Sequence, residues 1–277
     1  MKKSVGVLIF ISLLFGGYRV LHSNTLPPLS AISDIVKVSL LEFNTAVKNG
    51  NFTQFLLKSS SEFQKKYTPD DLSGIFGEFT EKGIDISPII NNPPYFTTNP
   101  HIDEFGDLVV DGFFLLDGHI PNAVDFSLEY TFEDNQWKII AIRVKTWYDE
   151  QRPNSKELML LIQKSLLTFD ICIKNRNFTL LYDRLATSQK IEITPQDLME
   201  IFAEFVDKQI DISGVEGRMP IFYFAPFFED DEILVIQGFY RLELISGKNV
   251  PEFLDFELRF IKERGDWLLL GISVSAE

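Results

Sequence analysis

The sequence predicts an α+β fold built from two tandem copies of one domain, each with helices first and a curved antiparallel sheet after them. Three observations predict it: the chain repeats itself, each repeat opens with helical patterns, and each closes with alternating strand patterns. The repeated segments are Asn51-Phe-Thr53 and Asn177-Phe-Thr179, Thr68-Pro-Asp-Asp71 and Thr194-Pro-Gln-Asp197, and Ile84-Asp-Ile-Ser87 and Ile210-Asp-Ile-Ser213. The offset, as from residue 51 to residue 177, is 126 in every case, which is typical of a tandem duplication.

The second copy contains a short insertion in its sheet region, near Ser246-Gly-Lys-Asn249. After it the offset is 130, as in the pairs Asp125/Asp255 and Trp137/Trp267. A turn rich in Ser, Gly and Asn tolerates extra residues, so the insertion predicts a lengthened hairpin. The predicted organisation is a leader at residues 1–23, copy one at 26–145, a linker at 146–155 and copy two at 156–277.

Each copy is expected to open with a long, largely buried helix, because its apolar positions recur at spacings of three and four. Lys48-Asn-Gly50 ends this helix in copy one and Lys174-Asn-Arg176 ends it in copy two. Asn51 and Asn177 follow, and their side-chain oxygens are expected to accept amides of a second, short helix.

A further helix start carries the strongest local signal in the chain. Thr68 and Thr194 are predicted N-caps, a proline follows each of them, and Asp71 and Asp197 stand three positions after the caps. That spacing is typical of a reciprocal capping box. The predicted buried face of this helix is Leu72, Ile75, Phe76 and Phe79 in copy one and Leu198, Ile201, Phe202 and Phe205 in copy two.

Alternating apolar and polar residues then predict half-buried antiparallel strands. In copy one they lie at residues 108–116, 126–133 and 137–144, and in copy two at 234–244, 256–260 and 267–274. Gly112 and Gly238 interrupt the first strand of each set. A glycine inside a strand favours a bulge that bends the sheet, so bulges are expected at both positions.

This order of elements resembles the nuclear transport factor-like superfamily, also called the cystatin-like α+β cone. The resemblance is carried by the first helix, the Thr-Pro-x-Asp helix start, the Gly112-Phe113 and Gly238-Phe239 pairs, and the final strand from Trp137 to Val144. Members of that superfamily include ketosteroid isomerase-like and scytalone dehydratase-like enzymes as well as non-catalytic binding domains. They often pair through their sheets, so the resemblance implies that copies 1 and 2 pack on each other.

The N-terminus indicates export. Met1-Lys-Lys3 precedes an apolar run from Val5 to Phe15, which is shorter than the roughly 20 residues of a membrane span and suits a signal peptide. The alternative is an uncleaved N-terminal anchor, which would be the protein's one contact with the membrane. Either interpretation predicts an extracytoplasmic protein, periplasmic or secreted, and the Lys-Lys leader with a single cysteine, Cys172, favours a bacterial source.

Charge and composition exclude several classes of function. The net charge is −14 and no basic stripe is visible, which argues against a nucleic-acid partner and is compatible with a basic one. The three histidines, His22, His101 and His119, do not occur in duplicated positions. The sequence has no Gly-rich phosphate loop and no Cys-x-x-Cys pair, so we expect neither a cofactor nor a metal ion.

Two sets of residues are candidates for a functional site. Asp85 and Asp211 lie between isoleucines in the repeated Ile-Asp-Ile-Ser segment, where a partly buried carboxylate could act as a general base or could equally cap a turn. The second set lies in the aromatic segment 221–228, which either covers the seam between the copies or binds an external partner. Its candidate ligand- or partner-binding residues are Phe222, Tyr223, Phe224, Phe227 and Phe228.

The leading functional hypothesis is an exported, non-catalytic tandem domain that binds a small apolar ligand or a protein partner in the cell envelope. It depends on the expected hollow inside a curved sheet and on the lack of paired catalytic groups. One alternative is a lyase or isomerase that uses a single pocket carboxylate, Asp85 or Asp211. Another is a structural component of an envelope assembly.

Overall fold

A computed structural model describes the backbone of residues 3–6 and all of residues 25–148, 151–230, 232–242 and 249–277. The chain divides into two compact units, unit 1 at residues 1–154 and unit 2 at residues 155–277. Each unit has helices first and then an antiparallel sheet, which confirms the α+β fold class. The predicted linker at 146–155 is too long, because the last strand of unit 1 continues to Tyr148 and the first helix of unit 2 begins at Ser155.

Unit 1 contains five α-helices and six strands within its described residues. The helices are α1 (Leu29–Asn49), α2 (Thr53–Lys58), α3 (Ser61–Lys66), α4 (Pro69–Ile75) and α5 (Gly77–Glu81), followed by a 3₁₀ turn at Ser87–Asn91. The strands are β1 (Lys3–Gly6), β2 (Tyr95–Phe96), β3 (His101–Ile102), β4 (Leu108–Leu115), β5 (Ala123–Glu133) and β6 (Gln136–Tyr148).

Unit 2 repeats the same order of elements. Its helices are α6 (Ser155–Asn175), α7 (Thr179–Tyr182), α8 (Thr187–Glu192), α9 (Pro195–Ile201) and α10 (Ala203–Lys208), followed by a 3₁₀ turn at Ser213–Val215. Its strands are β7 (Ile221–Phe222), β8 (Phe227–Glu229), β9 (Ile233–Arg241), β10 (Phe253–Glu263) and β11 (Asp266–Ala276).

The two sheets have matching topologies. The order in unit 1 is β1-β6-β5-β4-β2, with β3 also paired to β4, and the order in unit 2 is β11-β10-β9-β7, with β8 also paired to β9. Every pairing between these strands is antiparallel. Within the described part of unit 2, no strand corresponds to β1.

The predicted leader at residues 1–23 lies outside the described residues, except that the backbone of Lys3–Gly6 pairs with the end of β6.

An aromatic cluster forms the centre of each core. In unit 1 the ring of Phe43 on α1 lies 4.8 Å from that of Phe76 and 5.7 Å from that of Phe79. In unit 2 the ring of Phe169 lies 4.7 Å from Phe202 and 5.3 Å from Phe205, which are the equivalent residues. Edge-to-face pairs of this kind add to the free energy of burying the rings. The duplication therefore preserves the geometry of the core as well as its sequence.

The helix ends follow the sequence predictions. Gly50 and Arg176 adopt left-handed backbone angles, with φ of 59° and 49°, and stop the two long helices. Both capping boxes are confirmed: in each, the threonine oxygen accepts the aspartate amide at 3.2 Å and the aspartate accepts the threonine amide at 2.8 Å. The oxygen of Asn51 accepts the Thr53 amide at 2.9 Å, and Asn177 repeats this contact.

Two predictions are wrong, one about bulges in the strands and one about a buried residue. Gly112 and Gly238 do not form bulges; the register of β4 and β9 with their neighbours is continuous there, and the shifts lie at Glu129/Tyr130 and Arg259/Phe260. These glycines instead allow close approach of a short strand, since a Cβ at Gly112 would lie 2.3 Å from the Tyr95 carbonyl oxygen. Ile201, predicted to be buried, is 62% exposed, whereas its equivalent Ile75 is partly buried against the core of unit 1.

The short helices α3 and α8 were not predicted. Each is held by a glutamate of the adjacent sheet that accepts two hydrogen bonds from the first residue of the helix. Glu133 binds the amide and hydroxyl of Ser61 at 2.9 and 2.8 Å, and Glu263 binds those of Thr187 at 2.9 and 2.6 Å.

No helix within the described residues is long and apolar enough to cross a bilayer.

Candidate functional site

The carboxylate of Asp85 is fully engaged in holding the turn after α5. Its Oδ1 accepts hydrogen bonds from the Asn44 side chain and the Ser87 amide, each at 2.9 Å, and its Oδ2 lies 2.9 Å from Lys48 Nζ. Partial burial acts to raise the pKa of Asp85, but the bonds from Lys48, Ser87 and Asn44 outweigh it and hold the pKa well below its ordinary value. A carboxylate in this state is a weak base.

Asp211 lies in the equivalent turn of unit 2 and is more deeply buried. Its Oδ1 accepts the Ser213 amide at 3.1 Å and the Ser213 hydroxyl at 2.6 Å, and it lies 2.9 Å from Lys174 Nζ. The same Nζ lies 2.6 Å from Asp170 Oδ2, so two carboxylates share one ammonium group. Asp170 occupies the position that Asn44 has in unit 1. The Asn44 side chain accepts a hydrogen bond from the amide of Ile86, and the Asp170 side chain accepts one from the amide of Ile212. Both sites thus join the first helix to the turn.

The helix-facing side of the unit 1 sheet carries side chains of the hydrophobic core. In unit 1 the buried Phe114, Phe126 and Tyr130 of the sheet belong to the same core as Phe43 and Phe76 of the helices. Two cavities formed by described residues lie on the surface instead. One, of about 480 Å³, is a groove between α1 and α2 lined by Asn49, Gln54 and the Glu42–Lys58 ion pair, whose N···O distance is 2.5 Å.

The aromatic segment of unit 2 separates into two groups. Phe222 and Phe228 are buried, with 0% and 5% of their surface exposed, and therefore belong to the core. Tyr223, Phe224 and Phe227 are 42%, 61% and 38% exposed. In a continuous strand, Phe222 and Phe224 would lie on the same face. They do not, because β7 ends at Phe222 and the chain bends over the next two residues.

Of the exposed aromatic residues, Tyr223 lines a second surface cavity of about 280 Å³ on the outer face of the unit 2 sheet. Phe224 follows it in the chain, and Phe227 pairs with Val235 on β9, the strand that also carries the lining residue Gln237. The Tyr223 hydroxyl donates a hydrogen bond to Asp255 Oδ1 on β10. Partial burial of the phenol, followed by the bond to Asp255 and the negative charge of Glu277, raises the pKa of Tyr223 to about 12. The phenol therefore stays protonated and remains a donor at neutral pH. The cavity lining includes Tyr223, Gln237, Asp255, Glu257, Ser273 and Ser275.

A polar network occupies the part of this face next to the cavity. Glu257 accepts from Arg259 Nε at 2.7 Å and from the Gln237 amide at 2.5 Å, so both of its oxygens are engaged. Arg259 also lies 2.8 Å from Glu229 on β8. Hydrogen bonding to Arg259, together with that from Gln237, lowers the pKa of Glu257 against a smaller opposing effect of burial. Asp255 Oδ2, in contrast, has no donor among the described residues.

Asp255, Glu257 and the serines opposite them are not among the site residues predicted from the sequence. A usable signal was present, because these residues occupy the polar positions of two alternating strands. Comparison of the outward positions of the two copies shows that Arg143 and Lys145 become Ser273 and Ser275. Chemically, the outer face of unit 2 offers hydrogen-bond acceptors, negative charge and exposed aromatic rings. Within the described residues, no group of three or more His, Cys, Asp or Glu side chains could hold a metal ion.

Comparison with known proteins gives no further guide to this site. No protein-family model matches the chain, and no curated protein or solved structure matches it. The resemblance to the nuclear transport factor-like superfamily therefore stays a prediction.

Proposed function

We propose that this protein is an exported, non-catalytic binding protein that docks a protein partner on the outer face of the unit 2 sheet. The observation that carries the proposal is the grouping of three exposed aromatic side chains, Tyr223, Phe224 and Phe227, in one short segment. Tyr223 also lines a cavity whose other lining residues are mostly acidic and polar. Single exposed apolar residues are ordinary on protein surfaces, whereas grouped ones with a polar rim are typical of interaction sites.

Exposed aromatic rings of this kind are suited to anchor a protein. Each buries a large apolar area when a partner covers it, and tyrosine and tryptophan are prominent among the residues that dominate binding energy. Tyr223 also contacts Phe239, with ring centroids 5.7 Å apart, so its ring is supported by the sheet. A supported ring loses little conformational entropy on binding.

A protein partner is favoured over a small apolar ligand by the packing of the described residues. The helix-facing side of the unit 1 sheet is occupied by core residues such as Phe114 and Tyr130, both 0% exposed. The unit 2 cavity is shallow and polar-lined, which does not suit an enclosed apolar molecule. A catalytic role is not proposed for Asp85 or Asp211, because hydrogen bonds to their own turns account for both.

The proposal is tested by comparing three forms of the full chain as bait for proteins of the cell envelope. One is the wild type, one is Phe224→Ser with Phe227→Ser, and the matched control is Ile171→Ser with Leu180→Ser. The control residues are 44% and 52% exposed on the helical side of the same unit. We expect one protein to be retained by the wild type and the control and lost from the F224S/F227S form.

Equal retention by all three forms would overturn the proposal, as would retention of no protein by the wild type. The thermal stability of each form should be measured alongside, because removing exposed rings is expected to change the free energy of unfolding by no more than about 0.5 kcal/mol.

A further inference from the structure

The outer faces of the two sheets differ in charge at three of four equivalent positions. The cross-strand pairs are Asp125 with Lys145 and Ser127 with Arg143 in unit 1, and Asp255 with Ser275 and Glu257 with Ser273 in unit 2. The four side chains of unit 1 therefore sum to a charge of +1, and those of unit 2 to −2. Only the aspartate is common to both copies.

In unit 1 this aspartate, Asp125, lies next to an aromatic ring and to cationic side chains of the same unit. The indole Nε1 of Trp147 donates a hydrogen bond to Asp125 Oδ2, and the ammonium of Lys145 lies 3.4 Å from the centre of the Trp147 ring. Burial raises the pKa of Asp125, and the positive charges of Arg152, Lys145 and Arg143 oppose that rise. The site in unit 1 thus combines a carboxylate, an aromatic donor and built-in cations.

In unit 2 the carboxylate and the aromatic donor are kept, while the cations are lost. Tyr223 takes the place of Trp147 as donor to the aspartate, although it comes from the segment after β7, whereas Trp147 lies on β6. Ser273 and Ser275 are exposed and short, and they leave the cavity of about 280 Å³ where the longer side chains lie in unit 1. Arg259 does not replace the lost cations, because it is paired with Glu257 and Glu229.

We propose that this cavity binds the cationic side chain of a lysine or arginine from the protein partner, which restores in unit 2 the charge arrangement that unit 1 contains within itself. The inference rests on the proposed function and adds the chemistry that the site recognises. The cation pairs with Asp255 Oδ2 and lies against the Tyr223 ring, a combination of ion pair and cation–π contact. Phe224 and Phe227, which are exposed in the same segment as Tyr223, accept the apolar part of the partner.

A protein cation fits this cavity better than a metal ion does. Calcium needs six to eight oxygen ligands and magnesium six in octahedral geometry, whereas the carboxylate of Asp255 has one oxygen without a donor among the described residues. Aromatic faces attract large, weakly hydrated cations such as guanidinium. A second copy of the same face is disfavoured as occupant, since Asp255 and Glu257 would then meet like charges.

The test uses fluorescence anisotropy with two labelled peptides and the full chain at low ionic strength. One peptide alternates lysine and phenylalanine over six residues, and the other carries glutamine in place of each lysine. We expect the lysine peptide to bind more tightly than the glutamine peptide and to lose affinity as salt is raised, because salt screens a surface ion pair.

Three variants locate the site. Asp255→Asn removes the carboxylate charge and is expected to weaken the lysine peptide by about fivefold to tenfold, the range of a partly shielded charge contact. Ser275→Lys installs the residue that unit 1 has at this position and is expected to weaken binding similarly, because the new ammonium occupies the cavity while Asp255 is retained. Asp125→Asn in unit 1 is the matched control and is expected to leave the affinity unchanged.

The outcomes separate this inference from the proposed function. If both peptides bind equally and the variants have no effect, the cation site is overturned, while aromatic docking is still judged by the F224S/F227S bait comparison. Failure of the lysine peptide to bind at all also overturns the cation site. Association of two chains on adding peptide, measured by light scattering, would show a self-interface in place of a peptide site and would equally overturn it.

Discussion

At the scale of single residues, the duplication acts as an internal experiment. The pair Asn44 and Asp85 in unit 1 becomes Asp170 and Asp211 in unit 2, with one lysine, Lys48 or Lys174, next to each pair. The amide of Asn44 donates to Asp85 at 2.9 Å, a bond that Asp170 cannot supply to Asp211. Burial acts to lower the pKa of Lys174, but hydrogen bonds and charge attraction from Asp170 and Asp211 outweigh it and raise that pKa. The same turn is therefore held by different electrostatics in the two units.

The lowered pKa of Asp85 predicts a pH-dependent contribution to the stability of unit 1. The ionised form is favoured in the folded state, so this contribution is present above the unfolded pKa of about 4 and is lost as pH falls below it. We expect Asp85→Asn to be less stable than its parent at pH 7, with the difference smaller at pH 3. The stability difference is measured by urea unfolding monitored through tryptophan fluorescence in a Trp267→Phe background. The remaining tryptophans, Trp137 and Trp147, both lie in unit 1 and therefore report on its unfolding.

Asp34→Asn provides the control for this measurement, since Asp34 is an exposed residue of the same helix α1. Its unfolding curves should follow those of the parent at both pH values. A difference between D85N and the parent that is equally large at pH 3 and pH 7 would contradict the assignment of the pKa shift to the folded structure.

At the scale of elements, the starts of α4 and α9 are determined by neighbouring residues in the chain, whereas α3 and α8 depend on contacts with the sheet. The capping boxes at Thr68 and Thr194 satisfy free amides of α4 and α9 with side chains three residues away, which is why the sequence alone predicted them. Helices α3 and α8 depend on Glu133 and Glu263, which are more than 70 residues away in the chain. The sequence could not show that contact before the fold was known.

The capping boxes predict matched losses of stability in the two units. Thr68→Ala and Thr194→Ala should each lower the free energy of unfolding of their own unit by about 0.5–2 kcal/mol, because the hydroxyl that accepts the Asp71 or Asp197 amide is removed. Thr53→Ala is the control; this exposed threonine begins α2 and is expected to change stability by less than about 0.5 kcal/mol. Urea titrations measure all three, and an equal effect of T53A would contradict the capping role.

At the scale of the whole molecule, each unit has a core of its own. The ring pair Phe52–Phe76 in unit 1 has a centroid distance of 5.8 Å, and the equivalent pair Phe178–Phe202 in unit 2 has the same distance. The cysteine of the chain, Cys172, is fully buried on α6, and burial raises the pKa of its thiol. Its equivalent in unit 1 is Ala46, which is also buried on the first helix of its unit.

Cys172 therefore provides a probe of unit 2. A thiol reagent is expected to react with it very slowly in the native protein and to react once unit 2 unfolds, because only the thiolate is nucleophilic and the folded site hides it. In a urea series, Thr194→Ala should move the onset of labelling to lower urea, whereas Thr68→Ala in unit 1 should move it much less. Equal shifts by both variants, or rapid labelling without urea, would contradict this prediction.

The sequence by itself determined the duplication, the α+β class, the capping boxes and most of the buried aromatic positions, because these depend on local spacing and on repetition along the chain. Only the tertiary structure decided that Gly112 admits a neighbouring strand rather than a bulge, that Ile201 is exposed, and that Phe222 is buried while Phe224 is not. It also brought Tyr223, Asp255 and Ser275 to one cavity. Those outcomes depend on which strands lie side by side, and pairing between distant segments leaves no signal in the spacing of either segment.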